Sequence, residues 1–130
     1  MSIDTVAVWH QVAKDRDVAA LDQLLHKDAV FHSPVVHTPQ VGKSITAKYL
    51  AAAFEVFFND TFVYVREVHG DGHAMLEFNV EIQGVKVNGV DMISWDQDGL
   101  ITDFKVMIRP LKGVNVIHQN MGAMLQAPSS

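Results

Sequence analysis

Asp91 is the residue best placed for chemistry in this chain. It interrupts a mostly apolar run, Val85 to Trp95, VKVNGVDMISW. A carboxylate among apolar neighbours must be neutralised, paired or used, because a buried lone charge is costly. If used, Asp91 is a catalytic acid or base with a raised pKa, or a ligand anchor. If structural, it bonds to a tyrosine, a tryptophan or a backbone N–H. His32 and Ser33 close the short apolar run that begins at Ala29. Histidine titrates near neutrality and can shuttle a proton. Ser33 has no local base to make it a nucleophile, so its expected part is a polar ligand contact. Trp9 and His10 sit about 100° apart if their segment is helical, and a packed Trp9 is the default. Seven histidines raise the question of a metal. His69 and His73 flank a turn with only Asp71 nearby, and His32 and His37 lack a third ligand, so no metal site is expected.

These residues need elements to carry them. Ile3, Val6, Trp9, His10 and Ala13 are helically spaced, with Ser2 or Asp4 as a cap. A break at Asp15-Arg16-Asp17 precedes a second short helix through Val18, Leu21, Leu24 and Leu25. Ala29 to Ser33 reads as a strand stopped by Pro34, and Val35 to Val41 as a loop. Lys43-Ser44 opens a third helix, capped by Ser44, that carries Leu50, Phe54, Phe57 and Phe58 on one face. The apolar period then falls from about 3.6 to about 2. Thr61–His69, His73–Gln83, Val85–Trp95 and Leu100–Arg109 read as a meander of four strands, turning at Gly70-Asp71-Gly72, Gly84 and Asp96-Gln97-Asp98-Gly99. In the second, Leu76, Phe78, Val80 and Ile82 share one face. Pro110 stops the last strand. Leu111 to Gln126 has helical spacing weakened by Gly113 and Gly122, and residues 127–130 form a frayed end.

The expected class is α+β: a single domain over residues 1–130, with helices on one face of a curved antiparallel sheet. A long helix and a helix pair against a bent sheet make a cone with an open apolar cavity. Phe54, Phe78, Trp95, Phe104, Tyr64 and Phe58 are candidate walls. Val90, Met92 and Met107 on the outer face suggest a homodimer contact. A hydrophobic content of 48% supports one real core, and no cysteine is present for disulfide or thiolate chemistry. The net charge is −5 and the basic residues are scattered, which argues against nucleic acid as a partner. The acidic N-terminal segment does not read as a signal peptide, and no apolar run reaches membrane-spanning length. The expected location is the cytoplasm, with no membrane partner.

The chain resembles the nuclear transport factor 2-like superfamily, including SnoaL-like polyketide cyclases and ketosteroid isomerases. The resemblance rests on element order, on Asp17-Val18-Ala19-Ala20-Leu21, on Val30-Phe31-His32-Ser33-Pro34, on Gly42-Lys43-Ser44-Ile45 and on Gly99-Leu100-Ile101. It implies a cone-shaped sheet wrapped around the long helix. Ketosteroid isomerases place a general base at the end of the first short strand, where this chain has Ser33, which cannot replace a carboxylate. Their oxyanion tyrosine falls at Trp9, a donor but not an acid. Their oxyanion-hole acid, kept protonated in an apolar site, falls at Asp91, where the residue type matches. The family register turns Phe104, Val106 and Ile108 inward and Asp103 and Arg109 outward, against the Asp-Arg-Asp network of limonene epoxide hydrolase.

The resemblance implies a small protein, working without a cofactor, that binds an apolar, cyclic, carbonyl-bearing molecule. Proton transfer with isomerisation or cyclisation is the reaction expected of an enzyme of this kind, with Asp91 catalytic. Trp9, Ser33, His32, Phe54, Phe78, Trp95, Phe104 and Val106 are the expected ligand contacts. The alternatives are a non-catalytic binding module for a lipid-like or aromatic molecule, and a dimeric assembly domain.

Overall fold

The structure is a computed structural model that describes residues 4–126. Helix α1 (Thr5–Asp15) is capped by Asp4, whose carboxylate accepts the Ala7 N–H at 3.1 Å. The alternative caps and anchors at Ser2 and Ile3, and the tail 127–130, lie outside the described residues. Arg16 takes the left-handed conformation, φ 51°, and ends α1. Asp17 then caps α2 (Val18–Leu24) by accepting from Ala20 N–H at 3.1 Å. The polar triplet that reads as a break in sequence is thus one helix stop followed by one helix start.

Strand β1 (Leu25–His32) begins directly where α2 ends, four residues earlier than the apolar run Ala29 to Ser33 suggests. The expected loop before the third helix contains a two-residue strand, β2 (Gln40–Val41), antiparallel to β1. Helix α3 (Lys43–Phe57) has Gly42 at its N-cap with φ 114°, and no side chain caps it, so Ser44 is not the cap. Thr46 instead ties the helix start to β1, donating its hydroxyl to Ala29 C=O at 3.1 Å.

The meander follows the sequence reading closely: β3 (Val63–Gly70), β4 (His73–Ile82), β5 (Val85–Trp95) and β6 (Ile101–Arg109). The sheet order is β2-β1-β6-β5-β4-β3, with β1 parallel to β6 and every other neighbour antiparallel. In β4 burial alternates, with Ala74, Leu76, Phe78, Val80 and Ile82 facing the helices. Asp91 lies opposite Leu76 on one side and Val106 on the other, so it too faces the concave side. Phe104 and Val106 are buried beside it, whereas Asp103 and Arg109 face away.

Helix α4 (Leu111–Gln126) does form, and packs against α3, β5 and β6 through Val116, Ile117 and Met121. Gly113, which weakens an isolated helix, lets it come down on Val87: a Cβ there would meet that side chain at 3.2 Å. The architecture is α+β, four helices and a curved six-stranded sheet that does not close. Among the described residues, no helix is long and apolar enough to cross a membrane.

Candidate active site around Asp91

Asp91 is buried, 6% exposed, in the middle of β5. Val87, Gly89 and Ile93 share its face. Gly89 has a spatial reason to be glycine, since a Cβ would sit 2.8 Å from the Met107 carbonyl oxygen and against the Phe78 ring. Without it the tip of the Phe78 ring could not come so close to the β5 backbone.

The partner of Asp91 is Tyr64, whose hydroxyl donates to Asp91 Oδ2 at 2.6 Å. The indole Nε1–H of Trp9 donates to that same hydroxyl at 3.0 Å. An indole can only donate, so Trp9 donates to the Tyr64 oxygen, and the Tyr64 O–H is left for Asp91. Asp91 Oδ1 has no hydrogen-bond partner among the described residues, yet it is not a sealed, orphaned atom. Burial pushes the Asp91 carboxyl up to about 7, with the Tyr64 hydrogen bond pulling the other way. Burial and the adjacent Asp91 hold the Tyr64 phenol well above its ordinary value. Tyr64 is therefore a neutral donor at any physiological pH. A neutral Asp91 with Oδ2 committed to Tyr64 carries its proton on Oδ1.

The space beside Asp91 is lined by Leu50, Ala53, Phe57 and Phe58 from α3 and its end, by Phe62, and by Phe78, Phe104 and Val106 from the sheet. Among the described residues, Asp91 is the only ionisable group on that wall. The cavity measures about 20 Å³, room for roughly one water. The expected open mouth is thus corrected: the cone is filled by its own rings. Phe62 stacks on Phe78 at 5.2 Å and Phe58 lies 4.3 Å from Phe62, centroid to centroid. Phe58 and Phe62 also form the floor of an outer groove of about 450 Å³ that includes His10, Lys14, Val63 and Tyr64. These two rings are the partition between the groove and Asp91. The Phe58 carbonyl is held by the Arg16 guanidinium, and Asn59 and Thr61 bond to the Glu81 carbonyl, so the segment is pinned at both ends.

The other expected contacts separate into groups. Phe78, Phe104 and Val106 join Asp91 on the cavity wall. Trp9 reaches Asp91 only through Tyr64, and its ring packs on Phe54 and Phe104. Phe54 lies behind Trp9 rather than on the wall. Trp95 sits at the far end of β5 beside Ile101, away from the cavity. His32 and Ser33 open onto a different groove, where β1 ends. Ser33 Oγ accepts from Val35 N–H at 3.2 Å and shapes the turn into Pro34. His32 Nε2 is 2.8 Å from Asp103 Oδ1.

His10 points away from Trp9, with Nε2 at 2.7 Å from Glu67 Oε2, while His69 meets the other oxygen of Glu67 at 2.8 Å. The His10–Glu67 contact fastens α1 to β3, and the His69 contact lies within β3 itself. No group of three histidine or carboxylate side chains among the described residues could hold a metal ion.

A family model described as a SnoaL-like domain matches residues 6–104. The chain belongs to the SnoaL-like family. It is similar to a steroid delta-isomerase from Pseudomonas aeruginosa, with 40% identity covering 93% of this chain and 88% of that one, at a TM-score of 0.87. It is also similar to an uncharacterized protein with a cystatin-like fold from Silicibacter pomeroyi: 30% identity, 92% and 84% covered, TM-score 0.85. A de novo designed protein with a curved β-sheet shares the fold at 16% identity, 92% and 98% covered, TM-score 0.69. No curated protein matches the sequence. In this SnoaL-like chain Asp91 accepts a hydrogen bond from a phenol on β3, Tyr64. The sequence offered Tyr64 only as a wall aromatic.

Proposed function

We propose that this SnoaL-like protein binds an apolar, cyclic, carbonyl-bearing molecule beside Asp91 and moves a proton at it. The observation that carries the reading is a buried carboxyl whose pKa is pushed up to about 7, with one oxygen bonded by Tyr64, on the wall of an apolar, ring-lined space. A neutral Oδ1–H donates to a carbonyl oxygen most strongly when negative charge builds there, as it does when a water admitted with the ligand takes a proton from the adjacent carbon and returns it to the far carbon of the double bond. The likeness to a steroid delta-isomerase supports a ring ketone as the ligand class. A ligand of that size enters only when Phe58 and Phe62 swing aside, since about 20 Å³ admits no ring.

A second reading keeps the ligand and drops the turnover. It is favoured by one observation: the cavity wall has no second ionisable group to take the proton that leaves. The two readings part on one experiment. A cyclic β,γ-unsaturated ketone is incubated with the protein, and the conjugated enone is followed by ultraviolet absorbance alongside saturation of ligand-induced thermal stabilisation. Stabilisation with conjugation that Asp91→Asn abolishes supports the enzyme. Stabilisation without conjugation supports the binding module. Absence of both would refute a carbonyl ligand at Asp91.

The same proposal takes the protein as a homodimer paired through the convex sheet face. Val68, Met75 and Met107 are exposed there around a hollow of about 500 Å³, bordered by the Arg66–Glu77 ion pair. Met75 and Met107 alternate with the buried residues of β4 and β6 and so point away from the core.

A further inference from the structure

Strand β1 stops at His32, which lies beside Lys105 on β6, while β6 runs on to Arg109. This leaves a notch in the sheet, a groove of about 560 Å³. Pro34, Val36, Met107 and Ile108 give it apolar sides, and His32, His37 and Lys105 bring three nitrogen groups to it. None of the lining residues is a carboxylate, and Asp103, beside it on β6, is already in contact with His32 at 2.8 Å. Lys105 and His37 make no ion pair among the described residues. Val106 forms part of this groove and also part of the wall facing Asp91. It is the one residue common to both, so a ligand that pushes past Val106 at the open edge of β6 reaches from the inner site into the notch.

We propose that the notch receives an anionic group of the ligand, so that the natural substrate is an apolar ring ketone carrying a carboxylate on its far side. The inference rests on the reading of Asp91 as the carbonyl site. Lys105 is the chief contact for the carboxylate, with His37 at the rim, and the apolar sides hold the short arm that joins it to the ring. The groove fits this ligand: Lys105 makes no ion pair among the described residues, and the Asp103 carboxylate is already in hydrogen-bond contact with His32. A charge-assisted hydrogen bond at a half-buried lysine is worth about tenfold in affinity.

The test uses two probes, 2-tetralone and a 2-tetralone bearing a carboxylate on its aromatic ring. Dissociation constants are measured by calorimetry on the wild-type protein, on Lys105→Met and on Asp91→Asn. The carboxylated ketone is expected to bind wild type about tenfold more tightly than the neutral one. Lys105→Met should erase that advantage and leave 2-tetralone unchanged, and 1 M salt should shrink it. Asp91→Asn should weaken both ketones alike. Tight binding of 2-tetralone with no gain from the carboxylate, or a gain that survives Lys105→Met, would overturn the notch and leave the inner site standing. Binding of neither ketone would overturn both.

Discussion

The Tyr64 hydroxyl meets Asp91 Oδ2 at 2.6 Å, from a strand that does not neighbour β5. The bond crosses the concave face above Phe78, which occupies the strand between. It makes the phenol, and through it Trp9, part of the acid's environment. Replacing Tyr64 by Phe removes the acceptor of the Trp9 Nε1–H and the donor to Asp91 together. The expected cost is about 1–3 kcal/mol, the penalty for leaving buried polar groups unpaired. The Asp91 pKa should rise further, because the lost bond favours the ionised form. A melting curve and a carboxyl titration of Tyr64→Phe check the two effects.

Asp91 also sets a pH dependence of stability. Its folded pKa of about 7 lies above the ordinary 3.8. A raised acid binds its proton more tightly in the folded state, so its contribution is fully kept below pH 3.8 and lost as pH rises to about 7. Asp91→Asn cannot lose a proton. The variant's stability relative to wild type should climb across that window by up to about 4 kcal/mol and level off above it. Urea melts at a series of pH values measure the difference; a flat difference would mean that Asp91 titrates alike in both states.

The ring partition makes a kinetic prediction. Phe62→Ala opens the wall between the outer groove and Asp91. The expected cost in stability is about 1–3 kcal/mol for a half-buried aromatic. Association of 2-tetralone, followed by stopped-flow fluorescence, should accelerate relative to wild type. An unchanged association rate would place the entry elsewhere, with the notch beside Val106 as the remaining path.

The convex face makes a prediction about assembly. Met75→Glu puts a charge among Val68, Met75 and Met107. Sedimentation should show a dimer for wild type and a monomer for the variant, with ketone binding retained. A dimer that survives the charge would remove this face as the interface.

Much of this fold is legible in the sequence, for particular reasons. β4 alternates without interruption, and the two-residue turn Gln83-Gly84 sets Ile82 opposite Val85, so the inward parity passes from even numbers in β4 to odd numbers in β5 and Asp91 falls inward. Tyr64 resists that counting. β3 has an irregularity between Tyr64 and Arg66, and Val63, Val65 and Val68 are all exposed, so its apolar residues do not mark its buried side. The partner of the central acid therefore could not be named from period alone. β2 is too short to leave a pattern, and Gly42 replaces the side-chain cap expected of Ser44. The closed cavity was beyond sequence for a packing reason. The same aromatics that suit a ring-shaped ligand also suit one another, and only their stacking shows that they fill the cone.

The most direct test is the pKa of the Asp91 side chain, read by carboxyl-carbon NMR titration of the ligand-free protein. A value near 7 is expected, with a further rise in Tyr64→Phe. A value near the ordinary 3.8 would mean a solvated carboxylate, and would contradict a neutral acid held ready for a carbonyl oxygen.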